Sequence, residues 1–162
     1  MLFLTGSPGT GKTVMLVLKA RVWLQEGEHV YVTCLDRDAL AAACLIISQL
    51  RQMAPDAAGR IHLLDMRKLY GQATMSRALR DVVLNVGGKL NIIADEVDGS
   101  SDRLKSLCGF IMSDTKVTQF RLWAAGVRSK YLPECLQEVP LTDPLRCPPV
   151  VVRKVIKVAL RL

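Results

Sequence analysis

The chain has 162 residues, 50% hydrophobic and 23% charged, which excludes collagen-like, low-complexity and disordered classes and predicts one globular domain spanning 1–162. Lys and Arg number 22 against 15 Asp and Glu, and the resulting charge of +7 favours polyanionic partners. No 18-residue apolar span predicts a membrane helix, and Met1-Leu2-Phe3-Leu4 lacks the basic and long apolar regions of a secretory signal.

Apolar runs alternate with amphipathic segments throughout, with no internal repeat and no linker. This βαβα pattern predicts an α/β fold, a mostly parallel sheet with helices on both faces in a three-layer α/β/α sandwich. In chain order, the expectations are a strand over Leu2–Thr5, a helix over Lys12–Gln25 ended by Gly27, and a strand over His29–Cys34. Asp38 is expected to cap a long helix reaching about Met53, followed by a third strand over Arg60–Leu64 and one or two helices between Met66 and Leu84. After the Gly87-Gly88 turn, Leu90–Ala94 is an apolar run of strand length ending in Asp95-Glu96. Asp102–Ser113 has helical period, and Phe120–Ala125 is another buried strand. A loop with Pro133, Pro140 and Pro144 then leads to a last helix from Pro148 or Pro149, whose Arg153, Lys154, Lys157 and Arg161 share one face. That face is read as solvated, with a nucleic-acid or subunit contact as its functional alternative.

Cys34, Cys44, Cys108, Cys135 and Cys147 show no CxxC or Cys/His ligand spacing, which fits a reducing, cytoplasmic or nuclear compartment. His29 and His62 each stand at the edge of an expected strand, and a structural or solvated role is expected rather than metal ligation. The high apolar fraction, and elements that reach both chain ends, suggest a piece of something larger whose apolar surface a second domain or a partner protein covers.

Gly6-Ser7-Pro8-Gly9-Thr10-Gly11-Lys12-Thr13 fits the GxxxxGK[ST] pattern and stands between an apolar strand and a helix, where that pattern has its mechanism. Chance alone would produce it in roughly 1 chain in 200 of this length, before the flanking strand and helix are required. Glycines let the backbone curl so that its N–H groups point inward, and the helix beginning near Gly11 adds its positive end; together they wrap a polyphosphate. Lys12 is then expected to reach the β and γ phosphates of ATP, and the Thr13 hydroxyl to ligate Mg²⁺. Asp95, at the tip of a buried strand, would hold that Mg²⁺ through water. Glu96, one residue on, is placed to polarise the attacking water as general base. Asp98 is read as a helix cap or a solvated charge.

With these motifs placed, most of the chain resembles the first RecA-like domain of superfamily 1 helicases and their relatives, among them the helicase-like domain of Schlafen proteins. Gly6 to Thr13 looks like helicase motif I, Val30 to Asp38 occupies the place of motif Ia, and Asp95-Glu96-Val97-Asp98 looks like motif II. Leu141-Thr142-Asp143-Pro144-Leu145-Arg146-Cys147 is similar to motif IV, which would make Arg146 a γ-phosphate sensor; closure of a Pro-rich loop is its structural alternative. Where the family has Gly-Asp-x-x-Gln as motif III, this chain reads Gly126-Val127-Arg128-Ser129-Lys130. The resemblance implies ATP as ligand with Mg²⁺, a second RecA-like domain as neighbour, and single-stranded nucleic acid as a candidate partner through the basic surface. The missing motif III residues and the lack of an arginine finger imply slow hydrolysis by the chain alone and no unwinding. The alternatives weighed are a nucleotide-dependent regulatory switch, and, less favoured because of Glu96 and the lack of a helical lid, a small kinase or an AAA-type ATPase.

Overall fold

The computed structural model describes residues 1–36, 38–68, 72–99, 101–113, 116–127 and 131–143. Six parallel strands form one sheet: β1 (Leu2–Thr5), β2 (Val30–Cys34), β3 (Ile61–Asp65), β4 (Lys89–Ala94), β5 (Gln119–Gly126) and β6 (Gln137–Pro140), in the order β3-β2-β4-β5-β1-β6. Among the described residues four α-helices accompany them: α1 (Lys12–Gln25), α2 (Ala39–Met53), α3 (Gln72–Asn85) and α4 (Asp102–Ser113). This is the α/β architecture that the alternating pattern predicts, consistent with a RecA-like α/β/α fold.

Two cores, one on each side of the sheet, follow from the two-residue period of its strands. Leu4, Val30, Val32, Ile93 and Ala125 pack with Leu16, Ala20 and Trp23 of α1 and Ala43, Ile46 and Leu50 of α2. Their alternate neighbours Phe3, Tyr31, Ile92 and Ala124 pack on the other side with Leu79 and Val83 of α3 and Leu104, Leu107 and Phe110 of α4. A sheet covered on both faces needs strands apolar on both, which is why β2 and β4 read as nearly unbroken apolar runs. Trp23 is fully buried, and removing a side chain of that size from water contributes roughly 1.5–3 kcal/mol.

Helix α1 forms because Leu16, Val17, Ala20, Trp23 and Leu24 recur every three or four residues on one buried side. It stops at Gly27, whose φ of 83° reverses the chain while the N–H groups of Gly27 and Glu28 donate to the carbonyls of Leu24 and Trp23.

Two expectations are corrected. Residues 137–140, read as loop, form the edge strand β6, pairing with β1 from Leu2↔Gln137 to Thr5↔Pro140. Pro140 is tolerated there because an edge strand is paired on one side only. Asp38 does not cap α2 with its side chain; it already has helical φ and ψ of −75° and −21°, and the Ala39 N–H donates to the Asp36 carbonyl. The stretch after β3 is divided into a 3-10 turn, Met66–Lys68, and α3; another 3-10 turn, Pro55–Arg60, leads into β3. The expected last helix, with Arg153, Lys154, Lys157 and Arg161, lies outside the described residues, as does Arg146. No helix among the described residues is long and apolar enough to cross a membrane.

Candidate functional site

The glycine-rich loop leaves the carboxyl end of β1 and enters α1. Gly6, Gly9 and Gly11 all take positive φ, at 149°, 83° and 87°, a sequence of conformations that residues carrying a Cβ rarely adopt. At Gly6 space excludes a side chain as well, because a Cβ there would strike the carbonyl oxygen of Leu141 and the Thr10 hydroxyl. Inside the loop, the Thr10 N–H and hydroxyl both donate to the Ser7 carbonyl, at 3.3 and 2.9 Å. Lys12 Nζ turns back onto the loop and donates to the carbonyls of Gly6 (2.7 Å) and Ser7 (3.0 Å). Among the described residues no side chain of the flanking chain caps the N-terminus of α1 and no acid stands in its first turn, so its positive end faces the loop.

The structure joins the two sequence landmarks. The Thr13 hydroxyl donates to Asp95 Oδ2 at 2.6 Å, across 82 residues of sequence. β5 lies between the strands that carry them, and its register, Phe3↔Ala124↔Ala94, aligns the carboxyl ends of β1 and β4. Asp95 is 4% exposed and its other oxygen accepts the backbone N–H of Glu96 at 3.0 Å, so a buried carboxylate has a partner on each oxygen.

Glu96 is in the left-handed region at φ 53°, a conformation that costs a non-glycine residue roughly 1–2 kcal/mol. The turn holds it there: the Val97 N–H donates to the Ala125 carbonyl at 2.8 Å, and the Val97 side chain is buried. This close approach requires Gly126, since a Cβ at that position would overlap the Val97 carbonyl. The Glu96 carboxylate is on the solvent side, lining a cleft of about 250 Å³ with Asp98 and Val127. Gly126 thus has a packing role and Val127 is exposed, while Arg128, Ser129 and Lys130 lie outside the described residues.

Sequence reading missed the polar cluster farther along the same rim. Asp65, at the end of β3, receives Nε and Nη2 of Arg67 at 2.8 and 2.7 Å and the Cys34 thiol at 3.4 Å. The Arg67 guanidinium holds the Asp65 carboxyl well below the usual carboxylate range, and burial, then Asp65, pushes the Cys34 thiol up. Arg103 of α4 reaches the same rim, donating to the Leu35 carbonyl at 2.6 Å and to Asp36 at 3.1 Å. An acid and a base two residues apart after an apolar strand was the only signal available.

Among the described residues no three His, Cys, Asp or Glu side chains gather as a metal site. Thr13 and Asp95 supply two hard oxygens, which suits Mg²⁺, an ion that usually keeps several waters and takes its remaining oxygens from phosphate. Searches against known protein families and against curated proteins give no match.

Proposed function

We propose that the chain is an ATP-binding P-loop NTPase core of helicase type, which hydrolyses ATP to ADP and phosphate slowly or only with a second domain. The observation that carries the reading is the Thr13–Asp95 hydrogen bond, which puts a hydroxyl and a buried carboxylate together beside a glycine-rich loop and an uncapped helix end. A loop of this shape suits a polyphosphate because backbone N–H groups and the helix dipole both favour negative charge.

In this reading Lys12 exchanges its bonds to the Gly6 and Ser7 carbonyls for bonds to phosphate, adding a full positive charge where negative charge is densest. Thr13 and Asp95 hold Mg²⁺, which when bound neutralises phosphate charge and fixes its orientation. Glu96 accepts a proton from the attacking water; its left-handed backbone aims the carboxylate away from the strand and out into the cleft. The exposed Met15, Leu18 and Val22 on α1 supply an apolar face for a second domain or a partner protein. Single-stranded nucleic acid is the proposed polymer partner.

The second reading, a nucleotide-dependent switch without helicase activity, is favoured by Val127, an exposed apolar residue where the helicase pattern has a polar one. ATP binding and turnover by the wild type, Lys12→Ala and Glu96→Gln, with and without single-stranded DNA or RNA, test both. The core reading expects binding lost in Lys12→Ala and binding without turnover in Glu96→Gln, and stimulation by nucleic acid selects the helicase type. Equal binding by all three proteins with no turnover would sink it.

A further inference from the structure

On the far side of the loop from Asp95, the first turn of α1 (Gly11, Val14 and Met15) and the residues leaving β6 (Leu141 and Asp143 among them) enclose a cleft of about 380 Å³. We propose that this cleft holds the base of the bound nucleotide, and that Asp143 selects bases bearing an exocyclic amine. The assignment rests on the loop binding the phosphates.

Continuity comes first. Thr10 and Gly11 belong both to the loop and to the cleft wall, so a nucleotide with its phosphates on the loop has this cleft within reach of its nucleoside end. The volume lies in the range of small-molecule pockets. Its walls suit a flat aromatic ring: Val14 and Met15 on one side, Leu141 on the other, with Met15 40% exposed. A thioether adapts its shape and packs favourably against aromatic rings.

The wall is also tied to the loop. The Leu141 N–H donates to the Thr5 carbonyl at 2.7 Å, and the Leu141 carbonyl approaches Gly6 so closely that only glycine fits. The Thr5 hydroxyl donates to Glu138 of β6 at 2.8 Å, which fixes the strand from which that wall emerges. Cleft and loop therefore keep one spacing, which limits the ordering cost of binding.

Charge sets the orientation. Asp143 is the one charged residue among the described residues of the lining, and it would repel a phosphate placed at its end. It would instead accept a hydrogen bond from a base amine, such as the N6 amine of adenine. A base with a carbonyl at that position, as in inosine, would set oxygen against carboxylate.

The test measures affinities for ATP, ITP and inorganic tripolyphosphate, each with Mg²⁺, in the wild type, Asp143→Asn and Met15→Asp. The wild type should bind ATP about tenfold tighter than either of the others, a difference of one hydrogen bond or stacking contact. Asp143→Asn should bring ATP and ITP to near equality, because an amide can donate to the inosine carbonyl. Met15→Asp should weaken ATP about tenfold more than it weakens tripolyphosphate, because the added charge opposes both ligands and the lost wall only ATP. Photolabelling of the wild type with 8-azido-ATP needs no variant, and the label should map to peptides containing 14–15 or 140–143. Equal binding of ATP, ITP and tripolyphosphate by the wild type, or a label elsewhere, overturns the base site while leaving the phosphate loop standing. Failure of the wild type to bind any of the three overturns the loop reading, and the base site with it.

Discussion

At the amino end of the sheet, polar side chains bind one another: Lys89 at the start of β4 pairs with Glu28 at 2.9 Å, Arg121 of β5 with Glu26 at 2.9 Å, and the buried Asn91 amide donates to the His29 carbonyl at 3.0 Å. At the carboxyl end of β1 and β4 the backbone leaves the ordinary regions, with Gly6 at φ 149° and Glu96 at φ 53°, and Lys12 turns back onto the carbonyls of its own loop. One end of the same strands closes the domain, and the other is where the proposed function places the phosphates. Strain of this kind persists only where surrounding structure enforces it, and it clusters at functional sites.

The contrast predicts that substitutions at the carboxyl end have large effects of either sign, while those at the amino end act weakly. Gly126→Val should have the largest effect, lowering stability by about 3 kcal/mol in urea titration, because the new Cβ overlaps the Val97 carbonyl. An unchanged unfolding midpoint would show that the turn after β4 is not packed this tightly. Glu96→Gly should act in the opposite direction, raising stability by about 1 kcal/mol through relief of the left-handed conformation while abolishing turnover. If it destabilises instead, the turn is not strained.

The amino end adds a pH effect. His29 Nδ1 and His62 Nε2 are 2.9 Å apart, one donating and the other accepting, and burial, then His29 and Arg51, hold His62 below its ordinary value. The folded state thus releases a proton that the unfolded state keeps. Stability is complete above the unfolded value of about 6.5 and is lost as pH falls below it toward the folded one. The urea midpoint should drop between pH 7 and pH 5 in the wild type and flatten in His62→Gln; a flat wild-type profile would remove the pair. The smallest effect belongs to Arg121→Ala, whose partner Glu26 is 46% exposed, with a change below about 1 kcal/mol.

Elements with one strong local cause were legible in the sequence. β1, β4 and α1 follow from apolar runs and a three-to-four period, and the loop between β1 and α1 from its glycines. β6 was not, because Gln137-Glu138-Val139-Pro140 is polar and made into a strand only by pairing with β1. The Asp38 cap failed because its backbone is already helical, at φ −75° and ψ −21°, where a capping residue is extended. At the site, residue types and order were legible, while the left-handed Glu96 and the Leu141 carbonyl against Gly6 arise from contacts distant in sequence. The His29–His62 pair was hidden likewise, since each histidine is unremarkable until β2 and β3 align.

The place of β5 between β1 and β4 also orders events during synthesis. When β4 leaves the ribosome, Thr13 and Asp95 have both been made, yet their strands belong two positions apart in the sheet, about 10 Å at ordinary strand spacing. Nothing sets that gap until residues 119–126 fill it. At about 5–20 residues per second, the chain exists for a few seconds with both halves of the site and no site. During that interval the buried position of Asp95 is still open to water, and under the proposed function no nucleotide can yet stabilise the nascent domain.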